Sequence, residues 1–328
     1  MTNEKEILNI ENLYVQYETD AGIVKAVNGV SFSLEKGKTI GLVGETGAGK
    51  TTIALAIMRL LQSPPARIFD GTISFNGKKL LKIKEKDMRK IRGKSISMIF
   101  QDPMTALNPI ERVGDQISEV IRIHDKVSRM DAQKKAVDIL EMVGIPGERY
   151  NEYPHQFSGG MKQRIVIAIA LACQPELLIA DEPTTALDVT IQAQVLDLIK
   201  DLQNKLNTSV VMITHDLGVV AQTCDNVAVV YAGEIVEIGE AKHIFNETAH
   251  PYTKGLFDSL PNINQTTSRL KPIPGMVPDP CDLPTGCVFA ERCQYKCSAC
   301  EEQKPSLVEV SKGHFVRCIH SKEMEVAE

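Results

Sequence analysis

The segment that most constrains this chain is GETGAGKT, residues 44–51. It matches the pattern G-x-x-x-x-G-K-[ST], in which glycines let backbone N–H groups turn toward phosphate oxygens. The flanking residues predict a buried strand over residues 39–43 and a helix from about residue 51 to residue 61, the context that the pattern requires. The positive end of that helix adds to the attraction for an anion. This segment therefore predicts an α/β fold that binds a nucleotide through its phosphates.

Apolar patterning over the rest of the chain predicts the same fold class. The first ~35 residues alternate apolar and polar side chains, which is typical of antiparallel strands. Short apolar runs predict further strands over residues 95–101, 177–180, 209–214 and, as a hairpin, 226–239. Helices that alternate with such strands indicate a parallel sheet. We expect an α/β fold with a mainly parallel core sheet, a β-rich N-terminal layer and a helical subdomain over about residues 113–173.

The composition excludes two classes of function. A net charge of −5 over 328 residues argues against broad nucleic-acid binding, which needs a basic face. No apolar segment of a secretory signal follows the first residues. The longest apolar run, residues 165–173, is about half of the ~20 residues that a membrane helix needs. We expect a soluble protein whose role at a membrane comes through a partner.

The segment LLIADEP, residues 177–183, brings two carboxylates to the end of a predicted strand. Ligands bind at this edge of an open α/β sheet. Asp181 suits coordination of Mg²⁺ through water, and Glu182 suits deprotonation of an attacking water. In the phosphate-binding loop, Thr51 suits Mg²⁺ and Lys50 suits the β and γ phosphates. An N-cap pair ahead of the next helix is the structural alternative for the two carboxylates.

Two more polar residues end predicted strands. Gln101 ends SISMIFQ, where its amide suits sensing of Mg²⁺ or of the attacking water. His215 follows SVVMIT, where its ring suits a hydrogen bond to the γ-phosphate. Each residue by itself is more often structural. Because both lie at strand ends in a chain with a phosphate-binding loop, we interpret Glu182, Gln101 and His215 as the catalytic set.

A second segment, FSGGMKQR at residues 157–164, offers further phosphate donors. Its Ser-Gly-Gly turn opens a predicted helix, and helix N-termini bind anions. One chain cannot easily bring both sets of donors onto one nucleotide. The segment therefore indicates an active site that is shared between two subunits.

The order GETGAGKT, Gln101, SGGMKQR, LLIADEP, TTALD and ITHD resembles the ATP-binding cassette (ABC) ATPases over roughly the first 260 residues. The resemblance implies that Ser158 and Gly160 contact the γ-phosphate held by the partner subunit. Phe157 and Met161 depart from the commoner LSGGQ signature without removing a phosphate donor.

The resemblance also implies roles for residues outside these turns. Asp188 would lie in the loop that crosses the dimer interface, and Tyr17 would stack on adenine, a plain strand tyrosine being its alternative. The Mg²⁺ ligands that it implies are Thr51, Gln101 and Asp181. The contacts to ATP that it implies are Tyr17, Gly44, Glu45, Thr46, Gly47, Ala48, Gly49, Lys50, Thr51, Thr52, Gln101, Ser158, Gly159, Gly160, Asp181 and Asp188.

QDPMTALNP (residues 101–109) and HPYTKGLFDSLP (residues 250–261) resemble one branch of this family, the importer ATPases for oligopeptides, dipeptides and nickel. The resemblance implies ATP hydrolysis coupled to peptide import, with nickel as the alternative cargo. It implies a second, distinct ABC ATPase subunit in a heterodimer, two permease subunits docked on residues 113–153 and, indirectly, an extracellular binding protein. The chain would lie at the cytoplasmic face of the cell membrane.

The alternative from another class is a soluble ABC ATPase that acts in translation or DNA repair. Such proteins typically carry two cassettes or a long coiled coil. This chain has one cassette and no sustained heptads, so the importer interpretation is favoured.

Six of the eight cysteines crowd the C-terminal region, residues 261–328, which we call the cysteine-rich tail: Cys281, Cys287, Cys293, Cys297, Cys300 and Cys318. Disulfides are rare in a reducing cytosol, and such a group more often holds metal. A region of about 60 residues is also marginal without a staple. Four thiolates suit zinc and iron–sulfur equally.

In the importer branch, cysteines at such spacing ligate a [4Fe–4S] cluster. Matching by position implies Cys287, Cys293, Cys300 and Cys318 as ligands and leaves Cys281 and Cys297 as extra. Zn²⁺ is the alternative, although the C-x5-C and C-x6-C spacings are wider than a zinc knuckle. His314 and His320 flank Cys318 and could join a zinc site, but we interpret both as surface histidines. A linker rich in Pro and Asn over 261–280 separates a cassette domain, residues 1–260, from the metal-binding part of the tail.

Overall fold

A computed structural model describes residues 5–101, 103–185, 188–259 and 272–321. The described residues group into two compact units. Unit 1 draws on Met1–Leu8, Leu34–Thr39 and Phe75–Ile213, and unit 2 on Asn9–Ser33, Ile40–Ser74 and Thr214–Glu328. Residues 261–271 of the predicted linker lie outside the described residues.

Strands and helices alternate through most of the chain. The strands are β1 Glu6–Thr19, β2 Gly22–Glu35, β3 Thr39–Val43, β4 Ala66–Phe75, β5 Lys78–Lys79, β6 Ile96–Ile99, β7 Leu177–Asp181, β8 Ser209–Thr214, β9 Asn226–Tyr231, β10 Glu234–Glu240, β11 Val308–Ser311 and β12 His314–Val316. The helices are α1 Lys50–Met58, α2 Glu85–Ile91, α3 Pro103–Ala106, α4 Val113–Asp125, α5 Arg129–Met142, α6 Gly159–Leu171, α7 Val189–Leu206, α8 Leu217–Thr223, α9 Ala241–Asn246, α10 Pro251–Asp258 and α11 Ser298–Glu302.

The sheet of unit 1 contains three parallel strands in the order β8-β7-β6. Every residue of these strands is buried. Strands covered on both faces read as continuous apolar runs, and this is why the sequence predicts them. The structure confirms all three, although β6 ends at Ile99 and Phe100 is exposed.

Helices α4, α5 and α6 confirm the helix-rich region that the sequence predicts in unit 1. Helix α4 packs against α5 and α6. It buries Val113, Ile117 and Ile121, which are spaced four residues apart on one face. Among the described residues, no helix combines the length and the apolarity that crossing a bilayer requires.

The sheet of unit 2 has the order β11-β12-β10-β9-β3. Strand β3 pairs in parallel with β9, and β9 forms with β10 the antiparallel hairpin that the sequence predicts. Strand β10 then pairs antiparallel with β12, where Glu237 lies opposite Val316. The cysteine-rich tail therefore extends this sheet, a pairing that the sequence pattern did not predict.

Strands β1 and β2 confirm the predicted β-rich N-terminal layer, and β4, which the sequence did not predict, joins it in the order β2-β1-β4. In β2, Val30, Phe32 and Leu34 are buried while Ser31 and Ser33 are exposed. This alternation is the pattern of a sheet with one covered face.

Helix α1 ends at Met58, before the predicted end near residue 61. Arg59 takes a left-handed conformation, with φ of 51°, and its backbone N–H bonds the carbonyl of Ala56. A left-handed residue stops a helix whatever the apolar pattern beyond it.

Candidate nucleotide site

The phosphate-binding loop (residues 44–51) joins β3 to α1 in unit 2, as predicted. Gly44, Gly47 and Gly49 have φ values of 151°, 83° and 98°, which residues with a Cβ rarely adopt. A Cβ at Gly44 would overlap the carbonyl oxygen of Val230, and one at Gly49 would overlap that of Ala26. A Cβ at Gly47 would meet no atom within 4 Å. Gly44 and Gly49 thus let the loop pack closely against the backbone of Val230 and Ala26, whereas Gly47 borders open space.

Lys50 lies folded into the loop and is 6% exposed. Its Nζ donates to the carbonyl oxygens of Gly44, at 2.7 Å, and Glu45, at 2.9 Å. Helix α1 begins at Lys50, and its first turn carries no acidic residue that would offset the positive helix end. A buried ammonium at a helix N-terminus fits a polyphosphate.

Tyr17 lies beside the start of α1. Its hydroxyl is 3.1 Å from Thr52 Oγ1, and the residue is half-buried. Its partly exposed ring therefore lies next to the phosphate-binding loop, where an aromatic ring can stack on a base.

In unit 1, the structure brings two of the predicted catalytic residues together. The Gln101 amide donates to Glu182 Oε2 at 2.9 Å, and the Thr185 hydroxyl donates to the same oxygen, also at 2.9 Å. Glu182 has a φ of 48°, and its backbone N–H bonds the carbonyl of Ile213 at 2.8 Å. The carboxylate is thus oriented by two donors at the end of β7. Its backbone conformation is one that residues with side chains adopt at a cost.

Two further predicted residues lie at strand ends. Asp181 is the last residue of β7 and is 2% exposed. His215 directly follows β8 and is exposed. After it, Asp216 caps α8 by accepting from the backbone N–H groups of Gly218 and Val219. Both residues thus lie at the carboxyl ends of parallel strands, as predicted, whereas Gln101 lies two residues beyond the end of β6.

The Ser-Gly-Gly turn opens α6 in unit 1. Ser158 is the N-cap, and its hydroxyl accepts from the Met161 N–H at 3.4 Å. Ser158 and Gly159 are exposed, and the first turn of α6 carries no acidic residue. A Cβ at Gly160 would lie 2.6 Å from Ile191 Cγ2. The turn therefore presents an exposed, positive helix end, as binding of an anion requires.

The two departures from the common signature are explained by packing. Phe157 is buried, with the Arg149 guanidinium 4.1 Å from the centre of its ring. The same guanidinium donates to Met161 Sδ at 3.3 Å. Asp188, which the resemblance assigns to the dimer interface, is exposed and caps α7 by accepting from Ile191 N–H.

The cysteine-rich tail groups five thiols. Burial, together with the neighbouring thiols of Cys287, Cys293 and Cys300, raises the pKa of Cys318 to about 11. Burial also raises the pKa of Cys287 to about 11. The sulfur atoms of Cys297 and Cys300 are 3.5 Å apart. The pKa of Cys297 is lowered, and the largest cause is a hydrogen bond from the backbone of Cys300.

Two of these thiols, together with a histidine, have the spacing of metal ligands. Ligand atoms of Cys297, Cys300 and His320 lie within 4.8 Å of one another. All eight cysteines fall in the described ranges, and none of them is in a disulfide. Buried thiols that hold their protons become ligands when a cation replaces those protons. Cys281 differs, because its pKa is raised by burial and by the Asp279 carboxylate and by no other thiol.

The interpretation of His314 as a surface residue is wrong. Its exposed fraction is 1%, and its Nε2 lies 2.8 Å from Glu237 Oε1. The pairing of β12 with β10 carries this ring into the interior, which no local pattern signals.

The residues that hold the phosphate-binding loop from outside were not predicted. Arg292 Nη1 and Nη2 donate to the Glu45 carboxylate at 2.7 Å and 3.0 Å. The Glu45 backbone N–H donates to the Tyr252 hydroxyl at 2.9 Å. The sequence signals were weak: Arg292 precedes a grouped cysteine, and Tyr252 lies in HPYTKG.

A strand–loop–helix unit with glycine-dependent turns and an inward lysine, together with an Asp–Glu pair at a parallel strand end, defines a P-loop nucleotide-binding protein. The ABC transporter family profile matches residues 27–185. The profile for the oligopeptide/dipeptide transporter C-terminal region matches residues 236–300.

Individual proteins agree with these matches. The chain is 52% identical to the dipeptide transport ATP-binding protein DppD of Bacillus subtilis over 316 residues. The aligned region covers 96% of this chain and 94% of that protein. It is 51% identical over 320 residues to the oligopeptide transport ATP-binding protein OppD of the same organism, covering 97% and 89%. A solved dimeric ATP-binding cassette in a post-hydrolysis state with ADP and phosphate matches with a TM-score of 0.64 at 25% identity, covering 72% of this chain and 99% of that one. The chain belongs to the ATP-binding subunits of ABC transporters, in the oligopeptide/dipeptide transporter family, and is an ATPase.

Proposed function

We propose that this chain is the ATP-hydrolysing subunit that powers an importer of dipeptides or oligopeptides. The observation that carries the proposal is the similarity over nearly the whole chain to peptide transport ATP-binding proteins, C-terminal region included. Nickel import is the alternative cargo, and the similarity to peptide transport proteins favours peptides. The proposed cassette spans residues 1–260 and the proposed metal-binding region residues 261–328.

The proposed catalytic roles follow from side-chain chemistry. Glu182 deprotonates the attacking water, since its carboxylate is already oriented by Gln101 and Thr185. Lys50 binds phosphate oxygens, which compete for an ammonium now bonded to loop carbonyls. Mg²⁺, when bound, supplies charge neutralisation at the phosphates, and we assign it to Thr51, Gln101 and Asp181. His215 is proposed to bond the γ-phosphate and Tyr17 to stack on adenine.

The proposed assembly contains a second, distinct ATPase subunit and two permeases, with an extracellular binding protein delivering the cargo. Ser158, Gly160 and Asp188 are proposed to serve the nucleotide of the partner ATPase, because the signature turn is exposed. The permeases are proposed to dock on residues 113–153. The chain then works at the cytoplasmic face of the membrane.

Transport by a deletion strain tests the cargo. Cells lacking this chain should lose uptake of labelled dipeptide or of labelled tetrapeptide, and wild-type chain but not Lys50→Ala should restore it. Uptake of ⁶³Ni²⁺ measured in the same cells should be unchanged. Normal peptide uptake together with loss of nickel uptake would overturn the peptide assignment and support the alternative.

For the tail, we propose a [4Fe–4S] cluster on Cys287, Cys293, Cys300 and Cys318. The Cys287 N–H bonds the Cys300 carbonyl at 2.7 Å, and the thiols of Cys287, Cys293 and Cys300 all act on the pKa of Cys318, which supports the proposal. Such thiols stay protonated near neutral pH without a cation, so a metal can supply folding free energy in this region. Cys297 is the alternative ligand, since its sulfur lies 3.5 Å from that of Cys300, and Zn²⁺ is the alternative metal.

Metal analysis distinguishes these possibilities. Protein purified without oxygen should be brown and contain about four iron atoms per chain. Cys318→Ser should lose most of the iron, whereas Cys281→Ser should keep it. Zinc without iron in the wild-type protein would overturn the cluster assignment. Loss of iron in Cys297→Ser, with iron retained in Cys318→Ser, would replace Cys318 by Cys297 in the ligand set.

A further inference from the structure

A side chain of the cysteine-rich tail holds the phosphate-binding loop. Arg292 Nη1 and Nη2 bond the two oxygens of Glu45, 247 residues away in the chain. The Arg292 side chain is 5% exposed and that of Glu45 is 30% exposed. A bidentate pair between charged groups is stronger than a neutral hydrogen bond and fixes orientation as well as distance.

The guanidinium has no freedom to turn away. All five of its N–H groups are used: two bonds go to Glu45, one to the Tyr231 hydroxyl and one each to the carbonyls of Ile273 and Pro274. Gly275 leaves room for the stem, since a Cβ there would lie 3.0 Å from Arg292 Cγ. A lysine has neither the five donors nor the planar fork to reproduce this set.

Glu45 is fixed from the other side as well. Its backbone N–H donates to the Tyr252 hydroxyl. The rings of Tyr252 and Tyr231 lie 4.5 Å apart, and Phe289 of the tail packs edge-on to Tyr231 at 5.3 Å. The loop is thus held at Glu45 through both its backbone and its side chain by one aromatic and guanidinium cluster.

The same turn of the tail carries the grouped thiols. The Ala290 N–H bonds the Cys287 carbonyl at 3.0 Å, and the Cys293 N–H bonds the Ala290 carbonyl at 3.3 Å. Arg292 therefore lies on a short turn with Cys287 at one end and Cys293 at the other. Anything that reorders these two cysteines moves the residue that holds Glu45.

We propose that Arg292 is a positioning residue for the phosphate-binding loop, through which the state of the cysteine-rich tail sets the affinity of this chain for ATP. The inference rests on the proposed function, in which this loop holds ATP. In this proposal Arg292 acts through Glu45 and not on the nucleotide itself.

Binding of Mg-ATP to the full chain, by displacement of a fluorescent ATP analogue, tests the first part. Arg292→Met and Glu45→Gln should each weaken affinity about tenfold, and the double variant also about tenfold, because both changes break one interaction. Lys304→Met is the matched control: it removes a different tail ion pair, with Glu234 at 2.6 Å, and should stay within twofold of wild type.

Glu45→Gln keeps the side-chain shape and leaves the tail intact, so misfolding of the tail does not confound it. Wild-type affinity in this variant, or a hundredfold loss in the double variant, would overturn the positioning role. A wild-type chain that does not bind ATP contradicts the proposed function instead.

Disruption of the tail tests the second part. Cys293→Ser should weaken Mg-ATP binding about tenfold in the wild-type background and cause no further loss in Arg292→Met, where the link is already broken. Metal content is measured on the same samples. Unchanged affinity in Cys293→Ser, or equal losses in both backgrounds, would overturn control by the tail.

Discussion

Glu182 combines a left-handed backbone, with φ of 48°, and a carboxylate held by the Gln101 amide and the Thr185 hydroxyl. Both donors bond the same oxygen, Oε2, at 2.9 Å. Strained backbone that persists is concentrated at functional sites, because the surrounding contacts are used to hold one side-chain direction. At the scale of the residue, Glu182 is the one glutamate of the described residues that combines this backbone with a pair of donors.

Glu182→Gln should lower ATP hydrolysis by about a hundredfold or more while ATP binding is kept, because the amide cannot accept the proton of water. Phosphate release and nucleotide binding are measured side by side. Glu176→Gln is the control, since this exposed glutamate directly precedes β7 at its opposite end. Hydrolysis that survives in Glu182→Gln would exclude this residue as the base.

His250 is a buried residue whose charge state couples to stability. Burial lowers its pKa to about 4, against the opposing effects of Glu237 and of the Arg317 backbone. Its Nδ1 accepts from the Tyr252 N–H at 3.0 Å, so the ring caps α10 in its neutral form. The unfolded chain therefore binds this proton more readily than the folded chain does.

The folded pKa of His250 lies below the ordinary 6.5. The stabilisation that the neutral ring contributes is therefore complete above pH 6.5, and it is lost as the pH falls from about 6.5 toward 4. Between pH 7 and pH 5 this group should remove about 2 kcal/mol of unfolding free energy. His250→Asn, a residue that caps without titrating, should flatten this part of the profile in urea unfolding. An unchanged slope would assign the pH dependence to other groups.

At the scale of the element, the unit formed by β3, the phosphate-binding loop and α1 depends on glycines for two different reasons. At Gly49 the backbone passes against the Ala26 carbonyl, whereas at Gly47 the space around the backbone is open. Both have positive φ. A side chain at Gly47 would therefore meet only the cost of the left-handed backbone, whereas one at Gly49 would also overlap the Ala26 carbonyl.

Gly47→Ala should cost about 1 to 2 kcal/mol, the penalty of a left-handed conformation for a residue with a Cβ. Gly49→Ala should cost about 3 kcal/mol or more, because overlap with backbone is added. Urea unfolding of the two variants makes the comparison. Equal losses would mean that the contact at Ala26 relaxes without cost.

At the scale of the whole molecule, each unit carries one of the two proposed sets of phosphate donors. Unit 2 contains the phosphate-binding loop, and unit 1 contains the Ser-Gly-Gly turn at the exposed start of α6. A turn that serves the nucleotide of another subunit should matter for the assembled ATPase and not for binding by the single chain.

Ser158→Arg should leave ATP affinity of the isolated chain within twofold of wild type and lower hydrolysis of the assembled transporter about a hundredfold. Ser128→Arg is a matched control, because Ser128 caps α5 as Ser158 caps α6. Both variants lose a cap worth about 1 kcal/mol. A similar loss of transporter hydrolysis in both would count against a role for Ser158 in the partner's nucleotide site, because Ser128 lies in the proposed permease-docking region and its replacement affects docking as well as helix stability.

Much of the fold was predictable because its signals are local. Strands β3 and β8 have the predicted bounds, since runs buried on both faces read directly as apolar segments. The pairing of Gln101 with Glu182 follows from two strand ends on the same edge of a parallel sheet. The end of α1 was not predicted, because the left-handed conformation of Arg59 does not alter the apolar pattern of the sequence.

The sequence by itself determined the phosphate-binding loop, the strand ends near the residues proposed as catalytic and the grouping of cysteines in the tail. The tertiary structure alone decided that β12 joins β10, that His314 is buried against Glu237 and that Arg292 holds Glu45. The physical reason is the distance along the chain over which each kind of signal acts. Periodicity and motifs report on neighbours within a few turns of chain, whereas a polar side chain finds a distant partner only when the sheet and the tail have packed together.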